Sequence, residues 1–108
     1  MASEVLSVAH SAVSNTEVVL INGVDGHTYT VLSITLCETA GAAEPFDLYV
    51  RDDAGANDYE IYSDQALGAN ETFEHTSRIV LMTTDVLSAK LGSTGDVDVV
   101  ISYLDQTL

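Results

Sequence analysis

From Glu17 onward the chain is cut into short apolar runs, rich in Val, Ile, Thr and Tyr and separated by clusters of Gly, Asn and Asp. Runs of that length are too short for stable helices, whereas β-branched and aromatic side chains fit a pleated, half-buried surface. About seven to nine such strands at this spacing predict an all-β fold, a single-domain antiparallel β-sandwich of jelly-roll or Ig-like type. At 108 residues the chain supports one hydrophobic core and not two.

The runs give a register as well as a class. Glu17 to Ile21 reads as a strand, and Asn22 to Gly26 as the turn after it. Tyr29 to Cys37 alternates, with Thr30, Leu32, Ile34 and Leu36 on one face and Tyr29, Val31, Ser33 and Thr35 on the other. A small-residue loop, Glu38 to Glu44, ends at Pro45, since proline belongs at strand starts and edges. Phe46, Leu48 and Val50 then oppose Asp47, Tyr49 and Arg51, and with Tyr59 to Tyr62 they form a hairpin. Thr72 to His75 and Ser77 to Met82 give one or two short strands. A second hairpin is expected from Val86 to Leu91 and Val97 to Leu104, with Gly92 and Gly95 supplying positive φ at its tip. Val97, Val99, Ile101 and Tyr103 share a face.

Residues 1–16 are set apart from the sandwich, 17–108. Val5, Val8, Ala9, Ala12 and Val13 fit a helical stripe or a frayed strand, but serines at 3, 7, 11 and 14 weaken a helix, which favours an edge strand or a partner-binding arm. Val5, Leu6 and Val8 are its interface candidates. The start Met1-Ala2-Ser3-Glu4 lacks the basic region of a secretory signal, and the longest apolar runs fall far short of a membrane span, so synthesis in a cytoplasm is expected.

Charge narrows the partners. Lys and Arg number 3 against 17 Asp and Glu, a net charge of −14. Arg51, Arg78 and Lys90 are too few and too scattered to neutralise phosphates or an anionic membrane, so neither nucleic acid nor membrane is an expected partner. The single cysteine, Cys37, forms no internal disulfide and reads as a small buried hydrophobe.

Chemistry is thinly represented. The sequence has no Gly-x-Ser-x-Gly elbow, no phosphate-cradling Gly-rich loop and no dinucleotide fingerprint, which points away from an enzyme, and no cofactor is expected. His10, His27 and His75 stand at no zinc-binding spacing. Asp52, Asp53, Asn57 and Asp58 offer hard oxygen ligands for calcium, or simply the turn of a hairpin. Five tyrosines suit half-buried strand faces, or else sugar rings and protein interfaces. Tyr49 and Tyr62 are expected to be the exposed pair because they alternate against Phe46, Leu48 and Ile61.

Four stretches taken in order resemble the small β-rich virion proteins of tailed bacteriophages: Tyr29 to Ile34, Phe46 to Val50, Asp85 to Lys90, and Gly95 to Leu104. The resemblance runs from about Glu17 to the C-terminus. It departs from the pattern at Asn22 to Gly26, where a Pro-Gly type of turn is more usual. It implies a non-enzymatic protein built into a virion in many copies. A capsid decoration or cement protein comes first, with a neck or tail piece, or a carbohydrate- or ion-binding module, as alternatives. The implied partners are the major capsid protein or other virion proteins, together with further copies of the chain.

Overall fold

Each alternating run has one apolar face to bury, and two sheets laid face to face bury all of them at once. The computed structural model, which describes residues 3–52 and 57–107, does this with nine strands. They are β1 (Ser3–Val13), β2 (Val18–Asn22), β3 (His27–Glu38), β4 (Glu44–Asp52), β5 (Asn57–Leu67), β6 (Thr72–His75), β7 (Ile79–Met82), β8 (Val86–Leu91) and β9 (Val97–Thr107). One sheet has the order β1-β9-β3-β6, with β7 also on β3, and the other runs β2-β8-β4-β5. All pairings are antiparallel. If β6 and β7 count as one broken strand, every connection except the β4–β5 hairpin crosses between the sheets, as in a jelly roll.

Val31, Ile34, Leu36 and Ile101 of the five-stranded sheet meet Phe46, Leu48, Leu87 and Leu91 of the other in a shared core. Each is at most 3% exposed, and burial of a side chain of this size contributes roughly 1.5–3 kcal/mol. The expected hairpin is present and longer than its sequence signal: β4 pairs with β5 from Glu44↔Leu67 to Asp52↔Asn57. Val97, Val99 and Ile101 are buried together on one face of β9, as the alternation requires.

Two expectations are overturned. The first concerns the faces of β3. Its register to β9 shifts between Val31 and Ser33, so Leu32 is an extra, bulged residue. A one-residue bulge reverses the phase of everything beyond it. Tyr29 and Val31 therefore share the core face with Ile34 and Leu36, while Leu32 is only half-buried. The second is the closing hairpin. β8 lies in the four-stranded sheet and β9 in the other, so residues 92–96 cross between the sheets. Among the described residues the glycines with positive φ are Gly26 and Gly41, and not the pair in this crossing. Gly95 serves close approach instead, since a Cβ there would overlap the Glu44 carboxylate.

Candidate assembly surface

The two sheets turn very different outer faces to solvent. β1 is an edge of the five-stranded sheet, and its register with β9 is continuous from Ser3↔Thr107 to Val13↔Val97. That register and those of β3 set the outward side chains in rows: Leu6, Leu104, Thr30 and Val80 in one, and His10, Val100, Thr35 and Glu74 in another. Between them Val8 stands opposite Ser102, and Leu32, turned out by the bulge, lines a shallow concavity with Leu6 and Val8. Leu6 is 75% exposed and Val8 60% on this outer face, while Val5, 54% exposed, points to the opposite side in the row of Asp105 and Tyr29, open because it lies near the free end of the strand. Glu4 and Asp98 sit in the two flanking rows and Glu74 at the far end of the His10 row, leaving an uncharged centre inside an acidic rim. Cys37 stands on this face, opposite Asp98 and Thr72. It is half-buried, which corrects the expectation of a core thiol.

The outer face of the four-stranded sheet is a charge network. Arg51 donates from Nη1 to Glu17 and from Nε to Asp58, both at 2.8 Å, and the Tyr49 hydroxyl donates to the other oxygen of Glu17. Neighbouring Glu17 and Asp58 carboxylates raise the Arg51 pKa further. Glu60, which faces Tyr49, is pushed up by burial and then by Asp47 and Asp58.

Tyr49 is the clearest correction among the candidate residues. Alternation does place it away from the core, but it is only 4% exposed and held by Glu17. Burial, and then that carboxylate, push its phenol above the ordinary range. Tyr62 points inward and packs edge-on against Phe73 and His75, with its hydroxyl 2.8 Å from His75 Nδ1. The expected pair of exposed tyrosines is therefore absent, and Tyr59, 58% exposed, is the open one on this hairpin.

The calcium candidates are partly committed elsewhere. Asp52 Oδ1 accepts the Asn57 amide at 3.0 Å, Asp58 is taken by Arg51, and Asp53 lies outside the described residues. No group of three or more His, Cys, Asp or Glu among the described residues is arranged to hold a metal ion. The three histidines are dispersed: His10 is exposed on β1, His27 Nδ1 lies 2.8 Å from Asp105, and His75 is buried beside Tyr62.

At one pole of the sandwich are two groups that no sequence motif singles out. Glu38 and Glu44, at either shoulder of loop 39–43, are 1% and 3% exposed. Glu38 accepts the amides of Ala40, Gly41, Ala42 and Asn70 at 2.8–3.2 Å. Burial opposes its charge, yet those four donors together carry its pKa below the ordinary value. Glu44 has no hydrogen-bond partner at either carboxylate oxygen. Burial, followed by the nearby Glu38 and Asp96 carboxylates, drives its pKa up. A legible signal does exist, because Thr39-Ala40-Gly41-Ala42-Ala43 offers no side-chain acceptor beyond Thr39 for its own amides.

No family model and no curated protein matches this sequence. Solved structures of like fold include a protein of Bacillus endospore appendages, a novel family of disulfide-linked pili, with TM-score 0.59 and 8% identity over 98% of this chain and 87% of that one. The Drosophila NLP core, studied for pentamer formation and histone binding, matches with TM-score 0.58 and 16% identity over 91% and 97%. A chain of the acidic stable capsid of Helicobacter pylori bacteriophage KHP30 matches with TM-score 0.52 and 15% identity over 100% and 94%. At such identities the likeness establishes a shared fold and nothing finer.

Proposed function

We propose that this chain is a non-enzymatic structural protein of a phage virion, a decoration protein seated on the outer shell. The observation that carries this reading is the segregation of its surface. An uncharged, apolar-centred face on the five-stranded sheet suits contact with another protein, and the charged face on the other sheet suits solvent. A net charge of −14 then keeps free copies apart and speaks against nucleic acid as the bound surface. Further support comes from the KHP30 capsid chain, which the match covers almost from end to end. A small capsid component of nearly this length with the same fold is a workable precedent. An interface of roughly 800 Å² per partner would hold such a protein on a shell, and the exposed face around Leu6, Val8, Val80 and Val100 is where it would form.

Quantitative mass spectrometry of purified virions tests the reading. Copy numbers in the hundreds per particle support decoration, copies in the low tens or fewer move the chain to a neck or tail, and its absence overturns a virion role. The likeness to the NLP core, together with the charge of −14, favours one competing reading, an acidic module for a basic protein. Pull-down with core histones at physiological salt decides between them, since a shell protein gives no salt-resistant binding there.

A further inference from the structure

We propose that two copies of this chain join by antiparallel pairing of their β1 edges, with the two-fold axis at Ser7. The starting point is that the sandwich protects its other edges and leaves this one open. β2 is only 5 residues long and its pairing is bulged. β5 is interrupted by register shifts, turns through a positive φ at Asp64 and carries Asp58, Glu60 and Asp64. On the far side of β3 the edge is broken into the separate four-residue strands β6 and β7. β1, in contrast, has 11 residues in unbroken register, with no proline, lysine or arginine. A long, flat, uninterrupted edge is a template for another strand.

The second strand is identified by β1 itself. For the apolar outer faces of both copies to lie on the same side, residues of like parity must stand opposite each other. With the axis at Ser7, Leu6 faces Val8, Val5 faces Ala9, Glu4 faces His10 and Ser3 faces Ser11. Every apolar side chain then meets an apolar one, and each Glu4 carboxylate meets an imidazole. Moving the axis to Val8 sets Leu6 against His10 and Glu4 against Ala12, and moving it to Leu6 sets Glu4 against Val8. Only the Ser7 register among these satisfies both the apolar residues and the carboxylate.

Charge favours the same occupant. Two copies at −14 each repel almost everywhere, but β1 contributes a single carboxylate, and the outer-face residues beside its middle are Leu104, Ser102 and Val100, with Asp98 and Asp105 only toward its ends. The two five-stranded sheets would become one continuous sheet, and the apolar face proposed above to bind a shell would double in extent. The interface is isologous, so it closes at two copies and does not propagate into fibres.

Sedimentation of the purified chain over a concentration series gives a dimer if the proposal holds. Leu6→Lys and Val8→Lys each weaken that dimer at least tenfold while leaving circular dichroism and Tm near wild type, because both positions are exposed in the single copy. Register is read by cross-linking in a Cys37→Ser background. Ser7→Cys oxidises to a disulfide-linked dimer, since the two-fold brings residue 7 against itself. Val5→Cys alone does not, its copies lying about 14 Å apart at 3.4 Å per residue, whereas Val5→Cys combined with Ala9→Cys does. A monomer at every concentration, a trimer or pentamer, or a dimer in which Ser7→Cys fails to link overturns the proposal. These measurements use isolated protein, so their failure is distinct from failure to find the chain in virions.

Discussion

The two shoulders of loop 39–43 carry the same side chain in the same degree of burial, and the protein treats them in opposite ways. At the first, four backbone amides converge on Glu38 and make its charge the favoured form. At the second, Glu44 lacks any such cluster of donors, with only the Asp96 amide near it, lies against Gly95 and has the Glu38 and Asp96 carboxylates nearby, so burial and those charges shift it toward its neutral form. Burial alone therefore does not decide the state of a carboxylate. The count of donors does, and Gly41, with φ of 81°, lets the loop curl far enough to supply one of them.

The most damaging way to break this contrast is Glu38→Ala. It leaves four amides without their acceptor, and thermal denaturation should show a larger loss of Tm than for any change at Glu44, Gly95 or Asn70, with hydrogen exchange at Ala40 to Ala42 rising toward that of an open loop. Glu38→Gln should recover part of the loss, because its amide oxygen still accepts from Gly41, Ala42 and Asn70, whereas its nitrogen cannot accept from Ala40 and the charge that strengthens all four bonds is gone. Next comes Gly95→Ala, whose methyl group displaces the Glu44 carboxyl and should cost about 1–3 kcal/mol. Combined with Glu44→Ala, most of that cost should vanish, and a double-mutant cycle measures the coupling.

Glu44→Gln sharpens the comparison from the other side by raising Tm at neutral and alkaline pH while changing little in acid, where the wild-type carboxyl is already neutral. The signs follow from linkage. Glu38, with its folded pKa lowered, contributes stability that is present above its unfolded value and is lost as pH falls through the folded one. Glu44, with its folded pKa raised, contributes stability that is present below its unfolded value and lost as pH rises through the folded one. The two contributions oppose each other in wild type, so denaturation followed from acid to neutral pH should be flatter than in Glu44→Gln, which keeps only the Glu38 limb. The smallest effect is at Asn70, which donates to Glu38 from a φ of 57°. Asn70→Ala should cost about 1 kcal/mol and Asn70→Gly less, by chemical denaturation.

Much of the architecture is readable in the residues, and the misses have physical causes. From β2 onward the strands fall where β-branched runs lie between Gly, Asn and Asp breakers, and the β4–β5 hairpin follows from clean alternation at Phe46, Leu48 and Val50, whereas the Ser-rich β1 reads as helix or strand equally well. Leu32 escapes such a reading because periodicity carries no mark of an inserted residue, and one bulge inverts all faces beyond it. The separation of β8 from β9 escapes it because a short Gly-containing link serves a hairpin and a crossing between sheets equally well, and the choice rests with distant strands. Tyr49 shows a further limit. Alternation gives its direction correctly, but not the cover that Glu17 and Arg51 place over it. Val5, Leu6 and Val8 are legible as apolar residues in a segment too polar to be core, whereas the two glutamates are marked only indirectly, by a loop with few acceptors of its own, since a carboxylate beside a loop ordinarily belongs to solvent.

The pairing of β1 with β9 also sets an order of events in time. Ser3 lies opposite Thr107, so β1 is synthesised well before β9, the strand on which its ladder closes. At roughly 5–20 residues per second this exposes β1 for about 5–20 seconds during each round of synthesis. Contacts so distant along the chain also place folding in the slow, millisecond-to-second regime of all-β domains. Within a polysome, nascent copies therefore present one another with the same unsatisfied segment before β9 is made to cover it.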